Sequence, residues 1–175
     1  MINQLKGKIS KIKCLVTDVD GVLTNGRIYV DEASERVKSF HVHDGQGIKI
    51  MLKAGFKFAV ISVNTSSIIQ TRLNKLGVTD HYLGYENKLE ALNKFMQKYS
   101  LAPEQIAYMG DDLPDIPVLK TVGLAIAVAN ANKHVLSYAD YQTRANGGNG
   151  AVREVCDYIL QTQNLLKPIL EQFIL

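Results

Sequence analysis

The sequence predicts an α/β layered fold with parallel strands. Two observations carry this. Short β-rich apolar runs alternate with longer helical patterns, and 175 residues suffice for one domain of ordinary size. Such an alternation pairs strands in parallel and connects them by right-handed helical crossovers.

The strand candidates are Lys13 to Thr17, Phe56 to Ser62, Gln105 to Met109 and Leu124 to Val128. Each is a short apolar run bounded by polar residues or glycine, as expected of strands buried on both faces. Helical patterns lie between them. Gly45 to Ala54 and Thr65 to Leu76 are each followed by a stopping glycine, Gly55 and Gly77. Asn87 to Tyr99 places Leu89, Leu92, Phe95 and Met96 on one face. Ala151 to Gln163 turns Val152, Val155, Cys156, Ile159 and Leu160 inward.

One segment breaks the alternation. Gly26 to Asp31 and Arg36 to Val42 are period-two runs separated by the polar stretch Glu32 to Glu35, which reads as a β-hairpin. It stands where the first crossover helix belongs. After the loop Ala145 to Gly150, the chain ends in an apolar tail from about residue 164 to 175, interrupted by Pro168. Such a tail packs on its own body or on a neighbour.

Composition excludes several function classes. With 46% hydrophobic and 21% charged residues the chain supports a packed core. No apolar run approaches the ~20 residues of a membrane helix, and Met1 to Ser10 holds no apolar stretch of a secretory signal. The net charge of +3 is concentrated in Lys6, Lys8, Lys11 and Lys13. Setting these four aside leaves 16 basic against 17 acidic residues, so the body is not a nucleic-acid-binding surface. The four lysines read as a solvated, frayed end. Cys14 and Cys156 sit in apolar patterns and read as buried free thiols, which fits a reducing cytoplasm.

Chemistry in open α/β sheets sits beyond the carboxyl ends of the strands. Two acidic clusters fall there: Asp18-Val19-Asp20-Gly21 and Gly110-Asp111-Asp112-Leu113-Pro114-Asp115. Five carboxylates brought together repel one another unless a cation lies among them. Mg²⁺ suits a site of carboxylates and phosphate oxygens. In Asp18-x-Asp20, one carboxylate can attack a phosphoryl group. The other can protonate the leaving oxygen and then take a proton from water.

This constellation resembles the haloacid dehalogenase superfamily, whose first motif, DxDGxxT, is matched by Asp18 to Thr24. The resemblance extends to Ser62 after an apolar strand, to Lys88 in Tyr85-Glu86-Asn87-Lys88, and to the acidic run Gly110 to Asp115. It implies a Rossmann-like three-layer α/β sandwich with a mainly parallel central sheet, a protruding hairpin at about 26–42 and no separate cap domain. It further implies Asp18 as phosphoryl acceptor and Asp20 as general acid/base. Ser62 and Lys88 would bind phosphate, and Asp18, Asp111 and the backbone carbonyl of Asp20 would hold Mg²⁺. Asp112 and Asp115 would support the metal or serve the following helix. His41 and His43, at the hairpin's end, lack company for metal binding.

Within the superfamily the chain is similar to the capless phosphatases of 3-deoxy-D-manno-octulosonate 8-phosphate. The similarity includes Phe40 to Ile48, Tyr108 to Asp112 and Gly147 to Asp157. It implies a cytoplasmic homotetramer built through the hairpins, a neighbouring subunit over each site, and a product destined for lipopolysaccharide. A hairpin is too small to close a site from water alone, so the short chain itself argues for such neighbours. One departure stands out. The family reads I-T-G-R after the second strand, and this chain reads Ile61-Ser62-Val63-Asn64. Asn64 carries no charge to meet an acidic sugar, so compensation falls to Arg27, Arg72, Arg144 or another subunit. Asn64 and Arg72 are accordingly candidate substrate contacts. The alternatives are a phosphatase for a nine-carbon acidic sugar phosphate and a non-catalytic binding or regulatory subunit.

Overall fold

A computed structural model describes residues 2–30 and 36–173. The predicted hairpin turn Glu32 to Glu35 and the last two tail residues lie outside them.

The strands of the main sheet are β1 (Cys14–Thr17), β4 (Lys57–Ser62), β5 (Asp80–Leu83), β6 (Ile106–Gly110), β7 (Leu124–Ala127) and β8 (Tyr141–Gln142), in the order β5-β4-β1-β6-β7-β8. Every pairing in this sheet is parallel. Strands β2 (Tyr29–Val30) and β3 (Arg36–Val37) form the antiparallel hairpin, extended by a bridge between Thr24 and Phe40. The helices are α1 (Ile2–Ile9), α2 (Val42–Lys53), α3 (Ser67–Leu76), α4 (Lys88–Tyr99), α5 (Ile116–Leu119), α6 (Lys133–Leu136), α7 (Ala151–Thr162) and α8 (Leu166–Glu171).

The continuous apolar character of the strands follows from burial on both faces. Leu15, Phe58, Val60, Met109 and Ile126 pack beneath α2, α3 and α7, whereas Val16, Ile61, Tyr108 and Ala127 meet α4, α5 and α6 on the other side. This is the predicted three-layer α/β sandwich.

Several boundaries differ from the sequence reading. The second hairpin arm stops before Val42, because α2 begins there, with His41 in extended conformation at its N-cap. β5 and β8 were not foreseen: β5 is only partly buried along most of its length, and β8 has two residues. The N-terminal segment is not frayed. It forms α1, with Ile9 and Ile12 buried, and Gln163 donates to the carbonyls of both. Its lysines stay at the surface. Pro168 does not break the tail helix. It occupies the first turn of α8, where a missing N–H has no intrahelical partner to lose. In the tail, Leu166 and Ile169 pack on the core while Leu170 and Phe173 remain exposed.

Candidate active site

Strand order places the site. The chain runs from β1 outward through β4 to β5, then returns to β6 on the other side of β1. The crevice beyond the carboxyl ends of β1 and β6 is therefore a topological switch point. Register does the rest: Thr17 pairs with Met109, and the Asp18 amide donates to the Met109 carbonyl at 3.0 Å. Asp18 and Asp111 are thereby brought side by side.

An open cleft of about 610 Å³ results, lined by Asp18, Asp20, Ser62, Asn64, Lys88 and Asp111 among others. Lys88 is the only cationic side chain among the described residues lining it. Asn87 caps α4 by accepting from the Glu90 amide, making Lys88 the first helical residue. Lys88 Nζ lies 2.9 Å from Asp18 Oδ2 and 2.7 Å from Asp115 Oδ1, with all three side chains buried or nearly so. Burial opposes its charge, but the Asp18 and Asp115 carboxylates outweigh that and raise its pKa.

The carboxylates are strained electrostatically. Burial and then the Asp115 charge push Asp18 up to about 7, although Lys88 pulls the other way. Burial and the charges of Asp18 and Asp115 push Asp111 up to about 8. Asp111 Oδ1 is buried without a hydrogen-bond partner. One oxygen each from Asp18, Asp111 and Asp115 fall within 4.8 Å of one another. An unpartnered anionic oxygen beside two other carboxylates fits a hard divalent cation.

Asp115 organises this loop. Its Oδ1 accepts from Lys88 and from Tyr108 Oη at 2.6 Å, and its Oδ2 accepts from the amides of Asp111 and Asp112. Both oxygens are thus occupied. Asp112 instead accepts from Asn132 Nδ2 at 3.0 Å.

The Asp20 carboxylate lines the same cleft but is held by different donors. Lys38 donates to its Oδ1, and Asn64 Nδ2 donates to its Oδ2 at 3.0 Å. Thr24 Oγ1 is 3.4 Å from Oδ1. The turn after Asp20 requires glycine. Gly21 has φ +96°, and a Cβ there would come 2.0 Å from Asp111 Oδ2. The Gly147 loop packs onto this same turn: a Cβ on Gly147 would meet the Gly21 carbonyl at 1.6 Å, and Gly148 donates to the Val22 carbonyl.

Among the predicted site residues, Asp18, Asp20, Ser62, Asn64, Lys88 and Asp111 converge. Ser62 Oγ accepts from the Asn64 amide at 3.1 Å, and Ser66 caps α3. Arg72 does not converge with them. It lies over the Phe40 ring, 5.7 Å from its centroid, in a small enclosed space bounded by Leu23, His41, Asp44 and Leu76. Arg27 and Arg144 are exposed and do not line the cleft. His41 and His43 stack edge to face at the start of α2. Lys38 escaped the sequence reading. It is one polar position in an alternating hairpin arm, and nothing local marks its pairing with Asp20, which lies 18 residues earlier.

Residues 85–155 match the model of the haloacid dehalogenase-like hydrolase family. The 3-deoxy-D-manno-octulosonate 8-phosphate phosphatase KdsC of Escherichia coli K12 is 45% identical over 159 residues, covering 91% of this chain and 85% of that protein. The crystal structure of the 3-deoxy-D-manno-octulosonate 8-phosphate phosphatase from Yersinia pestis superposes with a TM-score of 0.93 at 41% identity, covering 94% of this chain and 89% of that one. The corresponding phosphatase from Moraxella catarrhalis, in complex with magnesium ion, phosphate ion and KDO, gives a TM-score of 0.96 at 35% identity over 99% of both chains.

Proposed function

The chain belongs to the 3-deoxy-D-manno-octulosonate 8-phosphate phosphatase family of haloacid dehalogenase-like hydrolases, and from that premise we propose that it hydrolyses this sugar phosphate in a Mg²⁺-dependent reaction. The observation that carries the mechanism is the meeting of Asp18, Asp111 and buried Lys88 at the switch point, with Asp20 beside them. A relative with magnesium and phosphate bound supports the cofactor.

Asp18 and Asp111, with the Asp20 carbonyl, would hold the ion. When bound, Mg²⁺ neutralises charge on the carboxylates and on the phosphoryl oxygens. Lys88 holds the Asp18 carboxylate in place and adds positive charge where the phosphoryl group must sit. An Asp18 oxygen attacks phosphorus while the bond from phosphorus to the sugar oxygen breaks. Asp20 gives its proton to that departing oxygen. Water then attacks the aspartyl phosphate. Its proton passes to Asp20, the bond from Asp18 to phosphorus breaks, and inorganic phosphate leaves. Ser62, at the mouth of β4, supplies a hydroxyl to the phosphate.

We further take the chain to be one phosphatase domain that works as a cytoplasmic homotetramer, with product entering lipopolysaccharide synthesis. Exposed apolar side chains on and beside the hairpin, Ile28, Tyr29, Val37 and Val42, support an assembly through that element. Two free buried cysteines fit a reducing compartment. No described helix is long and apolar enough to cross a membrane.

The test is a panel of sugar phosphates with Mg²⁺, ranked by kcat/KM. 3-Deoxy-D-manno-octulosonate 8-phosphate should lead, and Asp18→Asn should abolish turnover. Equal rates on unrelated sugar phosphates would remove the substrate assignment. An active monomer in sedimentation velocity would remove the tetramer.

A further inference from the structure

We propose that Lys38 and Asn64 form a clamp that fixes the Asp20 carboxylate for proton transfer, so that Asn64 is a positioning residue for the acid/base group rather than a substrate contact. This rests on the reading of Asp20 as general acid/base.

The geometry is specific. The turn carrying Asp20 is buried on both sides of it, but the Asp20 side chain is 39% exposed, and rotation of a carboxylate about its last torsion costs little. Water would compete for both oxygens unless protein donors held them. Lys38 reaches Asp20 Oδ1 from the second hairpin arm, with its side chain only 9% exposed. Asn64 reaches Oδ2 from the end of β4. The carboxamide is itself fixed, because its Oδ1 accepts from the Ser66 amide at 2.9 Å. The Asn64 amide is anchored to Ser62 Oγ. Its side-chain oxygen is therefore used internally, and its nitrogen is directed at Asp20. With Lys38 and the longer Thr24 hydroxyl contact on Oδ1 and Asn64 on Oδ2, donors on both carboxylate oxygens set the plane of the group, and the Lys38 contact is charge-assisted.

The clamp serves both half-reactions. In the first, the Asp20 proton must meet the sugar oxygen as its bond to phosphorus breaks. In the second, Asp20 must meet the proton of the attacking water. A carboxylate free to rotate would miss both, while the substrate's phosphate would bind as before.

The experiment compares Lys38→Met, Asn64→Ala, Lys38→Arg and Asp20→Asn on two substrates with Mg²⁺: a sugar phosphate and p-nitrophenyl phosphate. On the sugar phosphate, Lys38→Met and Asn64→Ala should lower kcat by about tenfold to a hundredfold, part of the full effect of a general acid. KM should stay within about twofold. Nitrophenolate leaves without a proton, so phosphorylation of Asp18 should persist and only hydrolysis of the phosphoenzyme should slow. Rapid mixing should then show a burst of nitrophenolate absent from the unsubstituted protein. Lys38→Arg, which keeps the ion pair, should recover most of kcat.

A rise in KM with kcat unchanged would overturn the clamp in favour of substrate binding. Equal losses on both substrates without a burst would reduce it to a structural contact. If Asp20→Asn is inactive on the sugar phosphate while Lys38→Met and Asn64→Ala match the unsubstituted protein, the clamp alone fails. If Asp20→Asn itself turns over normally, the acid/base reading fails and takes the clamp with it.

Discussion

Lys88 and Asp18 form a buried ion pair at 2.9 Å, joining the first residue of α4 to the residue that follows β1. Asp115 shares the ammonium, so one cation serves two carboxylates. The arrangement explains why a lysine tolerates near-complete burial here.

Removing that cation should be costly for folding as well as for chemistry. Lys88→Met leaves Asp18 and Asp115 buried without their partner, and breaking such a pair costs about 3 kcal/mol or more. Urea unfolding should show a loss of that order, and phosphatase activity should disappear. A variant as stable as the unsubstituted protein would mean that the pair contributes nothing net.

Gly21 should be required by the metal site rather than by the turn alone. At φ +96°, Gly21→Ala carries backbone strain of about 1–3 kcal/mol, and its Cβ would displace the Asp111 carboxylate. Calorimetric titration should show Mg²⁺ affinity reduced by about tenfold to a hundredfold, the range seen when the support of a metal ligand is disturbed. Unchanged affinity would remove Asp111 from the ligand set.

Metal-free protein should lose stability as pH rises. The folded state holds Asp18 up at about 7 and Asp111 up at about 8, against an ordinary value of 3.8. Well below pH 3.8, both folded and unfolded chains keep these protons and the groups cost little. From about pH 4 to about 8 the unfolded chain binds fewer protons than the folded one, so unfolding becomes easier. Mg²⁺ takes the place of those protons. The difference in Tm between Mg²⁺-loaded and EDTA-treated protein should therefore widen from pH 5 to pH 8 in scanning calorimetry. A constant difference would contradict the crowding of these carboxylates.

The two thiols should be inert in the native state. Burial pushes Cys14 up to about 12 and raises Cys156 as well, and neither side chain is exposed. Ellman's reagent should label neither until denaturant is added, at a rate governed by unfolding. Rapid labelling of native protein would place at least one thiol at the surface.

The sequence by itself determined the layers and the chemistry. Apolar runs such as Phe58 to Ile61 are long enough to betray strands buried on both faces, and Asp18-x-Asp20-Gly21 states a local geometry that needs no distant partner. Short or half-buried elements, such as β5 and β8, carry too few residues for periodicity to register. Tertiary structure alone decided which donors serve which carboxylates. Asp115 and Asp112 are near neighbours with the same side chain, yet one is enclosed by Lys88 and Tyr108 while the other faces Asn132. Arg72 and Asn64 were equal candidates for the cleft. The path of α3 carries Arg72 away to Phe40, and the end of β4 aims Asn64 at Asp20. Lys38 meets Asp20 only because the hairpin folds back over the turn. Pattern along a chain reports burial, which is a property of each residue. Pairing depends on where the backbone brings two residues, and only the folded chain sets that distance.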